Sequence, residues 1–204
     1  MAEYGATVWG QAWLRLAEPT STSGIDTRLP RARALARRGA VLRLQAVPCR
    51  VRAEVVVRGR EHPVEIRFPT WTAEQRDLIE GYLRAHTGAA TALTNGDAPD
   101  ELAIALTAAG SNSAPRIEEV DVRCPCRETR RPCLHALAVC YALVQRIDEE
   151  PALALTMRGY ERDGSDRCES DNAWIPLDDI DARGFFDARP VRRGAVRPRA
   201  SQAG

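Results

Sequence analysis

Apolar side chains recur along the chain with two periods, one of three to four residues and one of two residues. The longer period appears first, between residues 4 and 16, and predicts a short amphipathic helix whose two tryptophans pack in the core. A second helix is predicted with Pro30 near its first turn and Gly39 just past its end, since proline favours helix starts and glycine favours helix ends. The apolar positions of the first helix are Val8, Trp9, Ala12, Trp13 and Leu16.

Three segments in which apolar and polar residues alternate follow, and each predicts a strand. The segments are residues 42–46, 50–57 and 64–68. In the first of them, Leu42 and every second residue after it are assigned to the packed face. The connections between the segments are short, so we expect an antiparallel meander with one packed face and one face in water. The face in water would carry Arg43, Arg50, Arg52 and Arg67.

The rest of the pattern predicts further helices and one more strand. Thr72 and Gln75 match a capping box and predict a helix through about residue 85. The later segments are a helix at 99–109, a strand at 120–124, a helix at 134–147 and a short helix from 151 to about 159. Helices mixed with a short meander indicate the α+β class, a small antiparallel sheet with packed helices.

The charges are divided into two opposite blocks, although the formal net charge is only +1. Residues 28–60 hold ten arginines against the single acid Glu54, and residues 142–187 hold twelve acids against five arginines. The sum therefore does not exclude a nucleic-acid partner, because phosphate responds to the local density of positive charge. All 29 basic residues are arginine, which also fits the codon bias of a GC-rich genome.

Composition excludes several classes of protein. Apolar residues make up 44% of the chain, which is enough for a buried core and argues against disorder throughout. No apolar run approaches the roughly 18 residues of a membrane-spanning helix, and the N-terminus does not resemble a secretory signal. We therefore expect a cytoplasmic bacterial protein without a membrane partner, whose cysteines bind metal or stay reduced because the cytosol is reducing.

One cluster of cysteines and a histidine predicts a metal site. Cys124 and Cys126 flank a proline, and Cys133 and His135 follow after six residues. Alternate residues of a strand point to the same face, and Pro132 is placed to open the next helix, so the four side chains can converge. Zinc takes four such ligands in a tetrahedron, with Zn–S bonds of about 2.3 Å and Zn–N bonds of about 2.0–2.1 Å.

Three other interpretations of the cluster stay open at this point. A disulfide between Cys124 and Cys126 would close a very small ring, and buried free thiols would need no metal. A catalytic zinc needs an open coordination position, whereas four local ligands fill the tetrahedron. Structural zinc is thus the favoured interpretation. Cys49, Cys140 and Cys168 lie outside the pattern, Cys140 as a core residue of the predicted helix, and His62 and His86 are expected in turns or at the surface.

The segment 124–159 resembles the SWIM zinc finger: a C-x-C pair, a short spacer, a C-x-H pair and an Ala/Leu-rich helix. The upstream stretches WGQAW and LPRARALARRG and the later IPLDDIDARGFF are similar to bacterial, chiefly actinobacterial, SWIM-containing proteins. The resemblance implies a ββα zinc module with Cys124, Cys126, Cys133 and His135 as ligands. It also implies DNA binding or protein interaction, and an association with SWI/SNF-type helicase-like ATPases.

Four regions are predicted. Residues 1–115 would form an α+β N-terminal domain and residues 116–160 the SWIM-type zinc module. Residues 161–187 would be an acidic docking segment, and residues 188–204, with five arginines and two prolines, a disordered basic tail.

Two functional hypotheses follow, and neither is an enzyme. The first is a nucleic-acid-binding accessory protein located with the nucleoid, in which arginines around the zinc loop and on the sheet contact phosphates. Its candidate residues are Arg123, Arg127, Arg130, Arg131, Arg43, Arg50 and Arg52. The second is a protein-interaction adaptor, for example a subunit of a helicase-like ATPase or another complex. The chain shows neither a phosphate-binding glycine loop nor a Ser/His/Asp candidate set, so no catalytic residue is assigned.

Overall fold

A computed structural model describes residues 4–19 and 26–160 of the chain. All the described residues belong to the first compact unit of the chain, Met1–Glu169. The predicted acidic docking segment and basic tail lie outside the described residues. Within the described parts, none of the helices combines the length and apolar character needed to cross a bilayer.

Four antiparallel strands form one sheet in the order β1-β2-β3-β4. The first three are the predicted meander, whose alternation of apolar and polar residues places Val51, Val55 and Ile66 in the core. A short fourth strand pairs with β3 near the metal-site residues. The strands are β1 Val41–Val47, β2 Arg50–Val57, β3 Arg60–Arg67 and β4 Asp121–Arg123.

The predicted inward position of Leu42 is wrong, because β1 contains an irregularity. Leu42 pairs with Glu54 but Gln45 pairs with Arg52, so the register shifts between them. Arg43 lies in this interval with φ of 49°, a left-handed conformation that interrupts the alternation of side chains. As a result Leu42 is 42% exposed and pairs opposite Glu54, whose neighbours in β2 face the core.

The described residues contain seven α-helices. They are α1 Val8–Leu14, α2 Arg28–Arg37, α3 Ala73–Ala85, α4 Ala89–Thr94, α5 Asp100–Ala108, α6 Leu134–Glu149 and α7 Leu153–Thr156. Of these, α6 makes the main contacts with the sheet. The capping box of α3 is present as predicted, with Thr72 and Gln75 bonded reciprocally. The predictions did not include α4 or a 3₁₀ turn at Ile117–Glu119. The architecture is α+β.

Helix α6 lies at the centre of the core. It contacts α1, α2 and the first three strands, and Leu143 and Ile147 on it are fully buried. Trp9 and Trp13 on α1 are also fully buried, which confirms their predicted packing role. The indole Nε1 of Trp9 donates to the carbonyl oxygen of Ala98 at 3.1 Å.

The proposed zinc region shares this core and sheet with the N-terminal part of the chain. β4 pairs with β3 through Val122 opposite Ile66, and α6 packs on helices that precede residue 115. The predicted boundary at residue 115 therefore falls inside the first compact unit. The metal-site residues are thus anchored to a sheet and a core built largely by residues upstream of them.

Candidate metal centre

Cys124, Cys126, Cys133 and His135 converge at the junction of β4 and α6. Cys124 directly follows β4, Cys133 is the N-cap residue of α6, and His135 lies in the first turn of that helix. One potential ligand atom from each of the four residues lies within 4.8 Å of the others. Strand, turn and helix start thus bring together the four residues that the sequence predicts as ligands.

The distances suit a tetrahedral metal. Bonds of about 2.3 Å from a central zinc to each sulfur put neighbouring ligand atoms about 3.8 Å apart. In the structure the Sγ of Cys124 lies 3.7 Å from the Nδ1 of His135. Three sulfurs and one imidazole nitrogen form a donor set that zinc prefers, whereas calcium and magnesium prefer oxygen.

Burial disfavours the thiolate form of the cysteines in this cluster. Cys133 is fully buried, and Cys124 and His135 are less than 10% exposed. Burial raises the pKa of the Cys124 thiol to about 12, with the neighbouring Cys133 adding to the effect. Burial also lowers the pKa of His135, so its imidazole is neutral, which is the form that binds a metal. A bound cation would offset the cost of burying the thiolates.

Two charged side chains outside the C-x-C and C-x-H pairs hold the segment between Cys126 and Cys133, which is called the zinc loop below (residues 127–132). Glu128 accepts a hydrogen bond from the backbone N–H of Leu134 at 2.8 Å. Arg28, at the start of α2, donates to the carbonyl oxygen of Pro132 at 2.6 Å. The sequence motif did not indicate either contact, because Arg28 lies about a hundred residues away and Glu128 is one charge in a charged loop.

His62 also contacts the site, contrary to its predicted placement in a turn or at the surface. It lies in β3, and its ring stacks on that of His135 with 4.0 Å between the ring centroids. His86 is exposed at the end of α3, as expected.

Residues 110–144 match the family model of the SWIM zinc finger. The chain contains a SWIM zinc finger. The match covers all four converging residues, and together with their geometry it identifies zinc as the metal that the finger binds.

One similar protein comes from Mycobacterium tuberculosis (strain ATCC 25618 / H37Rv) and is called uncharacterized protein Rv2102. It is 30% identical over 159 residues, which is 77% of this chain and 56% of that protein. The chain therefore spans little more than half the length of this relative. The similarity extends well beyond the SWIM finger, since the family model covers only residues 110–144. No solved structure matches the chain.

The predicted phosphate-contacting arginines fall into two groups in the structure. Arg127, Arg130 and Arg131 lie exposed on the zinc loop, and none of them forms an ion pair with the described residues. Those on the sheet lie among acids. Arg43 pairs with Glu54 and Glu61, Arg52 with Glu65, and Arg123 with Asp121. The remaining candidate, Arg50, is half-buried on β2 opposite Arg67.

The cysteines outside the four-residue cluster differ from one another. Cys140 is a free, buried thiol in α6, and burial raises its pKa to about 12, as suits the predicted core role. Cys49 is disulfide-bonded, which differs from the expectation that the remaining cysteines stay reduced. Cys168 lies outside the described residues.

Proposed function

We propose that this chain is a nucleic-acid-binding accessory protein in which a structural zinc, held by Cys124, Cys126, Cys133 and His135, presents a basic loop to phosphates. The observation that carries the proposal is the exposure of Arg127, Arg130 and Arg131 on the zinc loop. Metal ligands stand at both ends of this loop. Its arginines are therefore displayed from a short segment whose ends have little freedom, which lowers the entropy lost on binding.

The neighbouring groove supports the same site. It has a volume of about 580 Å³ and lies between the zinc loop and β4. Its lining includes Arg131, Arg123, Val122, Pro132 and one acid, Glu118. Arginines at the edge of a groove suit a sugar–phosphate backbone, which the guanidinium group contacts in a bidentate manner.

The sheet arginines contribute less to this proposal. Glu54, Glu65 and Asp121 already pair with Arg43, Arg52 and Arg123 on the sheet. An arginine that must leave an acid to reach phosphate gains less than a free one. We therefore assign the principal contacts to the zinc loop and the sheet arginines a secondary role.

The zinc has a structural role in this proposal. Four protein ligands fill a tetrahedron, whereas a catalytic zinc keeps a position for water or substrate. The proposal assigns no catalytic residue, and it places the protein in the bacterial cytoplasm with the nucleoid.

Binding measured against salt concentration tests this function. Fluorescence anisotropy with labelled duplex DNA, single-stranded DNA and RNA is recorded from low to moderate salt. Three phosphate contacts should give a slope of log K against log salt of about −2.7 on duplex DNA. The variant R127Q/R130Q/R131Q should lose most of that slope. The matched control R38Q/R58Q/R60Q removes the same charge from exposed arginines at the end of α2 and around the turn from β2 to β3, which, like those of the zinc loop, form no ion pair with the described residues. An equal loss in both variants would show only a general charge effect and contradict the proposal, as would a slope near zero for the unchanged chain.

A protein-interaction adaptor is the second candidate. The pairing of sheet arginines with acids favours it, because a face of mixed and mutually paired charges suits a polar protein surface better than a run of phosphates. The partner class would be a SWI/SNF-type helicase-like ATPase or another subunit of a larger complex. Cross-linking in cells after nuclease treatment tests it: a defined partner retained by R127Q/R130Q/R131Q would favour the adaptor over the nucleic-acid protein.

A further inference from the structure

We propose that Arg28 and Glu128 are positioning residues of the SWIM finger, which hold the zinc loop in the geometry that the metal requires. The proposal rests on the ligand set proposed above. It concerns two side chains outside the C-x-C and C-x-H pairs. One of them, Arg28, lies about a hundred residues upstream of the zinc loop. Their contacts link the start of α2, the zinc loop and the start of α6.

Glu128 connects the zinc loop to the helix that carries two ligands. Its Oε2 accepts the backbone N–H of Leu134, the first residue of α6, at 2.8 Å. Leu134 stands between Cys133 and His135, and the side chain of Cys133 itself makes no capping hydrogen bond. Glu128 thus caps the helix from a distance and satisfies one of the N–H groups that every helix start leaves unpaired.

Arg28 holds the other side of the same loop. Its Nη1 donates to the carbonyl oxygen of Pro132 at 2.6 Å and to that of Arg130 at 3.3 Å, and it lies 3.4 Å from Oε1 of Glu128. One guanidinium therefore contacts two backbone positions and one side chain of the zinc loop. All three contacts lie between the second and third zinc ligands.

Asp26 fixes the orientation of Arg28. Its carboxylate accepts from Nε at 3.0 Å and from Nη2 at 2.6 Å, which leaves Nη1 directed at the zinc loop. The side chains of Arg28 and Asp26 are only 15% and 19% exposed. The guanidinium group of Arg28 therefore has partners on both of its edges, Asp26 on one and the zinc loop on the other. We assign Arg28 to the support of the metal site and not to phosphate contact.

This arrangement has a direct consequence for metal binding. A loop that already has its bound conformation loses less conformational entropy when its flanking cysteines close on zinc. The loop also carries Arg127, Arg130 and Arg131, whose mutual repulsion favours a more open conformation, and Glu128 and the carbonyl contacts of Arg28 oppose that repulsion. A lysine cannot replace Arg28, because one ammonium cannot reach Asp26, Glu128 and two carbonyls together.

Zinc affinity of the full chain, measured by competition with a chelating dye, tests the proposal. We expect Arg28→Lys and Glu128→Ala to weaken zinc binding about 10- to 100-fold, the usual effect of removing a contact that supports a metal ligand. Glu128→Gln keeps an oxygen acceptor for the N–H of Leu134 and should restore most of the affinity. Arg31→Lys, an exposed arginine one turn along α2, is the matched control and should bind zinc as the unchanged chain does.

Cobalt substitution separates this proposal from the ligand assignment. The unchanged chain and both variants should show the visible spectrum of tetrahedral cobalt with three thiolates, because the ligands are the same. Absence of that spectrum in the unchanged chain would refute the ligand set, and this proposal with it. If Arg28→Lys and Glu128→Ala show this spectrum and bind zinc as tightly as the unchanged chain, only the positioning role is overturned. The positioning role would also be overturned if the two variants lowered the melting temperature equally with and without zinc. That result would indicate only general stabilisation.

Discussion

The imidazole ring of His62 stacks on that of His135, with ring centroids 4.0 Å apart and ring planes inclined by 14°. His62 is in β3 and His135 is in the first turn of α6, so the stack joins the sheet to the zinc finger. The contact restricts the rotation of the predicted ligand ring on one face. It adds to the pairing of β4 with β3 and the packing of α6, which hold the finger on the rest of the fold.

His62→Ala should lower the stability of the zinc-loaded protein by about 1 kcal/mol, the usual magnitude for a pair of stacked rings. His62→Phe should retain most of it, because a phenyl ring also stacks. Thermal unfolding at saturating zinc measures both variants. His86→Ala is the matched control, since that ring also stacks on a neighbour, Tyr82, but at an exposed helix end. An equal effect of His62→Ala and His86→Ala would contradict a specific role for the contact at the metal site.

Cys126→Ala or His135→Ala should unfold the zinc finger, because the binding energy of a structural zinc is part of the folding energy. Zinc bound per chain and far-ultraviolet circular dichroism are the measurements. A strong chelator should have the same effect on the unchanged protein. Cys140→Ala is the control: this thiol is buried in α6 but lies outside the predicted ligand set, so the variant should lose some packing energy and keep its zinc. Full zinc content in His135→Ala would refute the ligand set.

Gly10→Ala should destabilise the protein by roughly 2 kcal/mol or more, the cost of forcing extra atoms into a packed site. A methyl group at residue 10 would come within 1.9 Å of Oδ1 of Asp148. That carboxylate accepts the backbone N–H groups of Gly5 and Thr7 and so holds the start of α1 on α6. Chemical denaturation measures the change.

Gly81→Ala is the opposite case and serves as the control for Gly10→Ala. Gly81 lies inside α3, and apart from its neighbours and the backbone of the helix itself no atom lies within 4 Å of the position of an added methyl group. Alanine there should stabilise the helix by up to about 1 kcal/mol, because glycine is the poorer helix former. A similar loss of stability at both positions would show that the carboxylate of Asp148 is not what excludes a side chain at residue 10.

Glu65 should give the sheet a pH-dependent stability. Burial raises the pKa of Glu65, but hydrogen bonds from Arg52 and Arg67 outweigh it, and the pKa in the folded protein is below the ordinary value. A lowered folded-state pKa means that the stabilisation is fully present above the unfolded-state value of about 4.3 and is lost as the pH falls through the folded-state value.

The variant Glu65→Gln checks this sign. At neutral pH it should be less stable than the unchanged chain by about 1 kcal/mol, and the difference should shrink as the pH falls below about 4. Urea unfolding across that range measures it. Glu61→Gln is the control, because Glu61 is 60% exposed and lies 3.7 Å from its arginine partner. A difference for Glu65→Gln that stays constant with pH would contradict the ion-pair explanation.

Local pattern predicted most of the elements of this fold. The alternation in β2 and the capping box of Thr72 are properties of neighbouring residues, and both are observed. The inward placement of Leu42 failed, because the irregularity at Arg43 depends on how β1 meets β2 and leaves the alternation of residue types unchanged. α4 was missed because six residues of Ala, Thr and Leu carry little amphipathic signal.

The convergence of the four predicted ligands could be predicted from local sequence, since they lie within twelve residues and their spacing places them on a strand end, a turn and a helix start. The residues around the site, in contrast, depend on long-range folding. His62 and Arg28 contact residues of the site that lie more than seventy positions away in the sequence. Strand register decides which acids pair with Arg52 and Arg43. Ligand spacing is a property of a short piece of chain. The contacts of a charged group or a ring depend on which distant residues the fold brings next to it.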